Sequence, residues 1–135
     1  MENSYKPKIL LVHNFYQVPG GEDTVFNNEK KLLEDYGHEV FTYTRDNEEL
    51  NNVHLFWKLF YPLNTIFSLK TYNEVRGIIS DNQIDIVHVH NSWPLISPSV
   101  YYAAFHSNVS VVQTVHNFRL ICPGATLYHN GKICE

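Results

Sequence analysis

The sequence predicts a doubly wound α/β fold, a parallel sheet with helices on both of its faces. Three observations carry that expectation. Four short runs rich in Val, Ile and aromatic residues recur along the chain, KILLVHN (8–14), HEVFTYTR (38–45), DIVHVHN (85–91) and SVVQTVHN (110–117), and such runs read as strands. The segments between them carry helical spacing, so strand and helix alternate, which calls for parallel strands joined by right-handed crossovers. Three of the four runs close on the same dipeptide, His13-Asn14, His90-Asn91 and His116-Asn117.

The first run is almost continuously apolar, as expected of a strand covered on both faces, whereas the third and fourth each carry a polar residue mid-run, His88 and Gln113. Gly20 and Gly21 then lead into TVFNNEKKLLEDYG (24–37), where Val25, Glu29, Leu32 and Tyr36, with Phe26 and Leu33 beside them, fall at helical spacing. Asp23 or Thr24 can cap this helix at its start and Gly37 at its end. Glu22 and Asp23 suit the helix dipole, and Lys30–Glu34 and Lys31–Asp35 are i,i+4 pairs on the wet face. YNEVRGIISDNQ (72–83) is a weaker helix because Gly77 lowers its propensity. SPSVYYAAFHSN (97–108) opens with Ser97 as a cap and Pro98 at the first helical position, a strong start signal.

Residues 50–69, LNNVHLFWKLFYPLNTIFSL, are dense in apolar and aromatic side chains. Val53, Trp57 and Phe60 form one helical row while Leu55, Phe56 and Leu59 fill other directions, before Pro62 interrupts. A helix apolar on most sides is usually buried. The functional alternatives are an apolar acceptor groove or a peripheral contact with a membrane surface, although Lys58 is the only Lys or Arg in 50–69 to draw anionic lipid.

At 135 residues and 44% hydrophobic, the chain has the size of one domain with a single core (1–135). Ten basic residues against fourteen acidic ones, a net charge of -4, offer no surfeit for a phosphate backbone, so nucleic acid is not an expected partner. The polar start MENSYKPK leads into an apolar stretch much too short for a signal-peptide core or a membrane span, and the expected location is the cytoplasm. In a reducing compartment Cys122 and Cys134 read as free thiols.

Open parallel sheets bind ligands outside the carboxyl ends of their strands, near the point where strand order reverses. One His-Asn pair is most simply a satisfied strand end. Three pairs on one edge favour a site, with His13, Asn14, His90, Asn91 and Asn117 as cleft-lining candidates and Arg119 close by in sequence. PGGEDT lacks the third glycine of a dinucleotide loop, and no Walker lysine follows. What remains is a glycine pair entering a helix, where free amides favour an anion such as a diphosphate, with Glu22 and Asp23 opposing it.

Taken together, GGEDTVFNNEKKLLEDYGHEV, DIVHVHNSWPLISPSV and VVQTVHNFRLICPGATLYHNGKICE resemble the N-terminal half of a GT-B glycosyltransferase of the large retaining, nucleotide-sugar-dependent group often called group one or family four. The matching elements, in order, are Gly20-Gly21, Gly37-His38-Glu39-Val40, Asp85 to His90, and Thr114 to His116. The resemblance implies a Rossmann-like domain on the acceptor side, with the nucleotide sugar held by a C-terminal domain that would follow, so the present chain is expected to be incomplete and inactive alone. It implies that Gly20 and Gly21 face the donor and that His116 hydrogen-bonds the transferred sugar near the reaction centre. The implied substrates are a nucleotide sugar and a glycan, lipid-linked or other glycoconjugate acceptor, as in polysaccharide biosynthesis, with no cofactor and no metal. Similar chains continue as Cys-x-x-Cys from the equivalent of Cys134, which with Cys122 and His129 would make a zinc set. The spacing of Cys122 and Cys134 is not a zinc signature in itself. A non-catalytic α/β interaction module is the alternative function. A response-regulator fold is disfavoured, since it needs acids where this chain has His-Asn.

Overall fold

The computed structural model describes residues 5–18, 20–52, 61–122 and 124–134. Among these, the four apolar runs form a parallel sheet from β1 (Ile9–Phe15), β2 (Val40–Asp46), β3 (Ile86–Asn91) and β4 (Ser110–Gln113), in the order β2-β1-β3-β4. The helices are α1 (Gly21–Asp35), α2 (Tyr61–Ile66), α3 (Leu69–Asn82) and α4 (Ser99–His106), with a 3₁₀ helix at Asn47–Asn52 and a small hairpin, β5 (Tyr128–His129) with β6 (Lys132–Ile133). The chain passes from β1 to one neighbour, β2, and returns to the other side of β1 as β3. Strand order therefore reverses between β1 and β3, where a doubly wound sheet opens a crevice.

Because successive side chains alternate across a strand, β1 and its neighbour β2 feed two different cores. Leu10, Val12, Val87 and Val89 point to the face covered by α3 and α4 and pack with Val75, Ile79, Val100, Ala103 and Ala104, all buried. Ile9 and Leu11 point to the other face, where Phe26 of α1 meets them with Leu33 and Val40 alongside. Each fully buried Val or Leu contributes about 1.5–3 kcal/mol relative to an exposed one. Val75 and Ile79 follow Thr71 at four-residue spacing, which gives α3 its buried stripe.

Several element ends differ from the sequence expectation, each for a local reason. α1 begins at Gly21 with extended Gly20 in the capping position, so neither Asp23 nor Thr24 is the cap. Asp23 works from inside the first turn, where its carboxylate accepts the Gly20 N–H at 2.7 Å. Phe26 and Leu33 turn inward on α1, whereas Val25, Leu32 and Tyr36 are exposed. Gly37, at φ +80°, ends the helix as expected, its N–H bonded to Glu34 O and that of His38 to Leu33 O. α3 starts earlier than residue 72 because Ser68 caps it, its hydroxyl accepting the Thr71 N–H. α4 starts at Ser99 rather than Pro98, though Ser97 Oγ still accepts the Ser99 N–H. β4 stops at Gln113, so Thr114 to Asn117 leave the sheet as a loop.

The apolar row of 50–69 falls largely on residues 53–60, outside the described residues. Among those described, no helix is long and apolar enough to cross a membrane.

Candidate functional site

On the α1 face, alternation in β3 puts His88 and His90 where Val87 and Val89 cannot be, on the side of Glu29. The pairing of β1 with β3 steps from Val12↔Val89 to His13↔Asn91, leaving His90 as an extra residue in a bulge at the switch point. Bulges of this kind re-aim a side chain. The His90 ring stacks between His88, centroids 4.6 Å apart, and His116, 5.3 Å apart, and meets the edges of His13 and Phe26. Its Nδ1 lies 3.1 Å from His116 Nε2, and its Nε2 lies 3.4 Å from Glu29 Oε2 without a hydrogen bond. His88 Nδ1 stands 2.9 Å from Glu29 Oε1, and its Nε2 bonds the Thr114 hydroxyl at 2.8 Å.

Burial lowers the pKa of His90 to about 4, and the neighbouring His88, His116 and His13 push the same way. Burial also lowers His88, against the pull of Glu29. A charged imidazole has no room to hydrate here, so both rings are neutral at neutral pH.

His13 and Asn14 do not line an open cleft as expected; both are fully buried beneath it. His13 Nε2 bonds the Asp23 carboxylate at 2.7 Å, and its ring stacks on Phe26. Asn14 is a structural clasp: its side chain accepts the Leu95 N–H and donates to Asn47 Oδ1, and its backbone oxygen accepts from Asn91 Nδ2. Asn91 also reaches Glu22 Oε1 at 3.3 Å and accepts the Trp93 N–H. The two acids after the glycine pair are thus turned back into the protein, Asp23 to His13 and Gly20, Glu22 to Asn91.

In front of these residues lies a cavity of about 230 Å³, whose walls include His90, Asn91, Trp93, Tyr101, His116, Asn117 and Arg119. The structure brings together here all the expected residues from β3 and the loop after β4. Gly20 and Gly21 are not in its wall; they sit exposed at the start of α1. A Cβ on either glycine would meet nothing within 4 Å, and neither has a positive φ, so packing and backbone conformation leave both positions open to larger residues. The Arg119 guanidinium lies 5.6 Å over the Trp93 ring, and its buried Nε has no hydrogen-bond partner. Gln113 ties β4 to the site, donating to His90 O and accepting from the Tyr101 hydroxyl.

Sequence reasoning had not singled out Glu29, Asp23 or Thr114 as partners of the histidines. The period of two in Val87-His88-Val89-His90 places both histidines on one face, and Glu29 sits on the same helical stripe as Phe26 and Leu33, three and four residues away. Cys122 and Cys134 are free thiols. Backbone N–H groups from Leu127, Gly124, Thr126 and Ala125 hold the Cys122 thiol below its ordinary range.

The model of the family described as Glycosyltransferase Family 4 matches residues 19–132. No curated protein and no solved structure gives a significant match to the chain. The matched span runs from the glycine pair through β2, β3 and β4, with β1 just before it, and a four-stranded parallel sheet with helices on both faces is the Rossmann-like half of a GT-B architecture. The chain therefore belongs to Glycosyltransferase Family 4, as an N-terminal-type GT-B domain.

Proposed function

We propose that this domain forms the acceptor side of a retaining glycosyltransferase that moves a sugar from a nucleotide-sugar donor to a glycan, lipid-linked or other glycoconjugate acceptor. The observation that carries the reading is the pairing of His116 and Arg119 on one cavity wall at the carboxyl ends of β3 and β4. His116 is held through Nε2 by buried His90, which leaves Nδ1 as its remaining polar atom. Arg119 keeps a buried Nε–H with no protein acceptor, and an anion would satisfy it.

Glycosyl transfer with a departing diphosphate passes through an oxocarbenium-like transition state. Such a reaction needs positioning and stabilisation of the leaving group more than a strong protein base. His116 supplies a directed hydrogen bond to the transferred sugar, and Arg119 a fixed positive charge toward the diphosphate. Gly21 is the first residue of α1, where amides have no partner within the helix, and the empty space beyond both glycines admits a donor carried by a second domain. Asn117, whose side-chain oxygen accepts the Arg119 N–H, offers its NH2 to an acceptor hydroxyl. Donor binding by a C-terminal domain, a cytoplasmic location and contact of residues 50–69 with a membrane face all belong to this proposal.

In the full-length enzyme, His116→Ala is expected to lower the transfer rate at least about tenfold, the effect of losing ~1.4 kcal/mol in the transition state. An unchanged rate in a folded variant would take His116 out of the site and favour a non-catalytic module.

A further inference from the structure

The cluster beneath the cavity wall, Glu29, His88 and His90, has a chemistry that the sugar-transfer reading does not use. We propose that these three residues bind one divalent transition-metal ion of the zinc class through the Glu29 carboxylate, His88 Nδ1 and His90 Nε2.

The donor atoms of the three side chains all lie within 4.8 Å of one another, and among the described residues no other group of His, Cys, Asp and Glu converges in this way. Glu29 Oε1 stands 2.9 Å from His88 Nδ1 and Oε2 stands 3.4 Å from His90 Nε2, so one carboxylate faces both rings. Imidazole nitrogen and carboxylate oxygen are the donors that zinc and its first-row neighbours take in three-ligand sites with an open position. Tetrahedral donors about 2.0–2.1 Å from an ion stand roughly 3.3 Å apart, so the set closes by modest rotation of Glu29 and tilting of the rings.

Two further observations point to a ligand. The His90 side chain is wholly buried, and its Nε2, aimed at Glu29, has no hydrogen-bond partner. A purely hydrogen-bonded cluster leaves that atom unsatisfied, and buried polar atoms seldom are. The nitrogens turned away from the cluster, by contrast, are both engaged: His88 Nε2 with the Thr114 hydroxyl and His90 Nδ1 with His116 Nε2. Metal-bound histidines are oriented by such outer partners. The Glu29 side chain is about a quarter exposed, 27%, which gives an ion a way in and leaves room for a water as fourth ligand. The ion would fasten α1 to β3 at the switch point, and through His90 it would fix the ring of His116.

The test is titration of chelator-treated protein with Zn(II) by calorimetry, and with Co(II) by visible absorption and proton NMR. One equivalent should bind with micromolar or tighter affinity, and the Co(II) spectrum should lack the thiolate charge-transfer band. Glu29→Gln should weaken binding at least about a hundredfold, while the double variant Cys122→Ser/Cys134→Ser should bind as the parent does. No binding tighter than millimolar, a thiolate band, or undiminished binding by Glu29→Gln would overturn the site. If Glu29→Gln does not fold, the parent protein decides: hyperfine shifts centred on the His88 and His90 rings support the assignment, and shifts centred on His129 refute it. None of these readouts depends on sugar transfer.

Discussion

The two faces of the sheet are built from the same strands, yet they are closed by different means. Toward α3 and α4 the inward residues Leu10, Val12, Val87 and Val89 are aliphatic, and they pack in a cluster of aliphatic and aromatic side chains that includes Val75, Ile79, Val100 and Tyr43. Toward α1 the buried apolar cluster is smaller, Ile9, Leu11 and Phe26 with Phe15, Leu33 and Val40 at its edge, and the same strands present His13, His88 and His90 to Asp23 and Glu29. One face is held by transfer of apolar surface from water. The other trades part of that stabilisation for buried groups that can bond, and it does so only beside the cavity. Stability and chemistry are thus divided between alternate residues of a single strand.

The largest effect should come from the closed face. Leu10→Ala removes a fully buried side chain from the larger apolar cluster, and is expected to cost about 2–5 kcal/mol in urea unfolding. Asp23→Asn tests the polar face. It takes a carboxylate from buried His13 and from the Gly20 N–H, bonds of 2.7 Å each, and should cost about 1.5–3 kcal/mol, the range for hydrogen bonds to a charged group. A larger loss from Asp23→Asn than from Leu10→Ala would reverse the division of labour between the faces.

The same division explains what could be read in the sequence. Val-Ile-rich runs and helical spacing carried the strands and helices of a doubly wound sheet, because burial on the aliphatic face leaves a direct mark on residue type. Helix starts were less legible. Ser68 and Gly20 act through a single hydrogen bond or an extended φ, signals that compete with equally suitable residues nearby. The histidines were visible as strand-end dipeptides, yet their partners were not, since Glu29 lies 59 residues from His88 in the chain and meets it only after β3 crosses β1. His13-Asn14 looked like an equal member of the polar edge. Its burial follows from β1 being the central strand, flanked on both sides and roofed by α1 and the loop that carries Leu95.

The smallest effect isolates the acid response that belongs to neither face. Asp85, at the amino edge before β3, accepts from the Tyr5 hydroxyl at 2.6 Å and from the Lys8 N–H at 2.7 Å. These bonds hold its carboxyl below the ordinary aspartate value. A carboxyl lowered in the folded state binds fewer protons there than in the unfolded chain, so its stabilisation is complete above about pH 4 and disappears as the pH falls through the folded value. Asp85→Asn should therefore lower the melting temperature slightly at neutral pH and make its fall below about pH 4 shallower, by scanning calorimetry across an acid series. An unchanged acid limb in Asp85→Asn would take Asp85 out of the acid response of the fold.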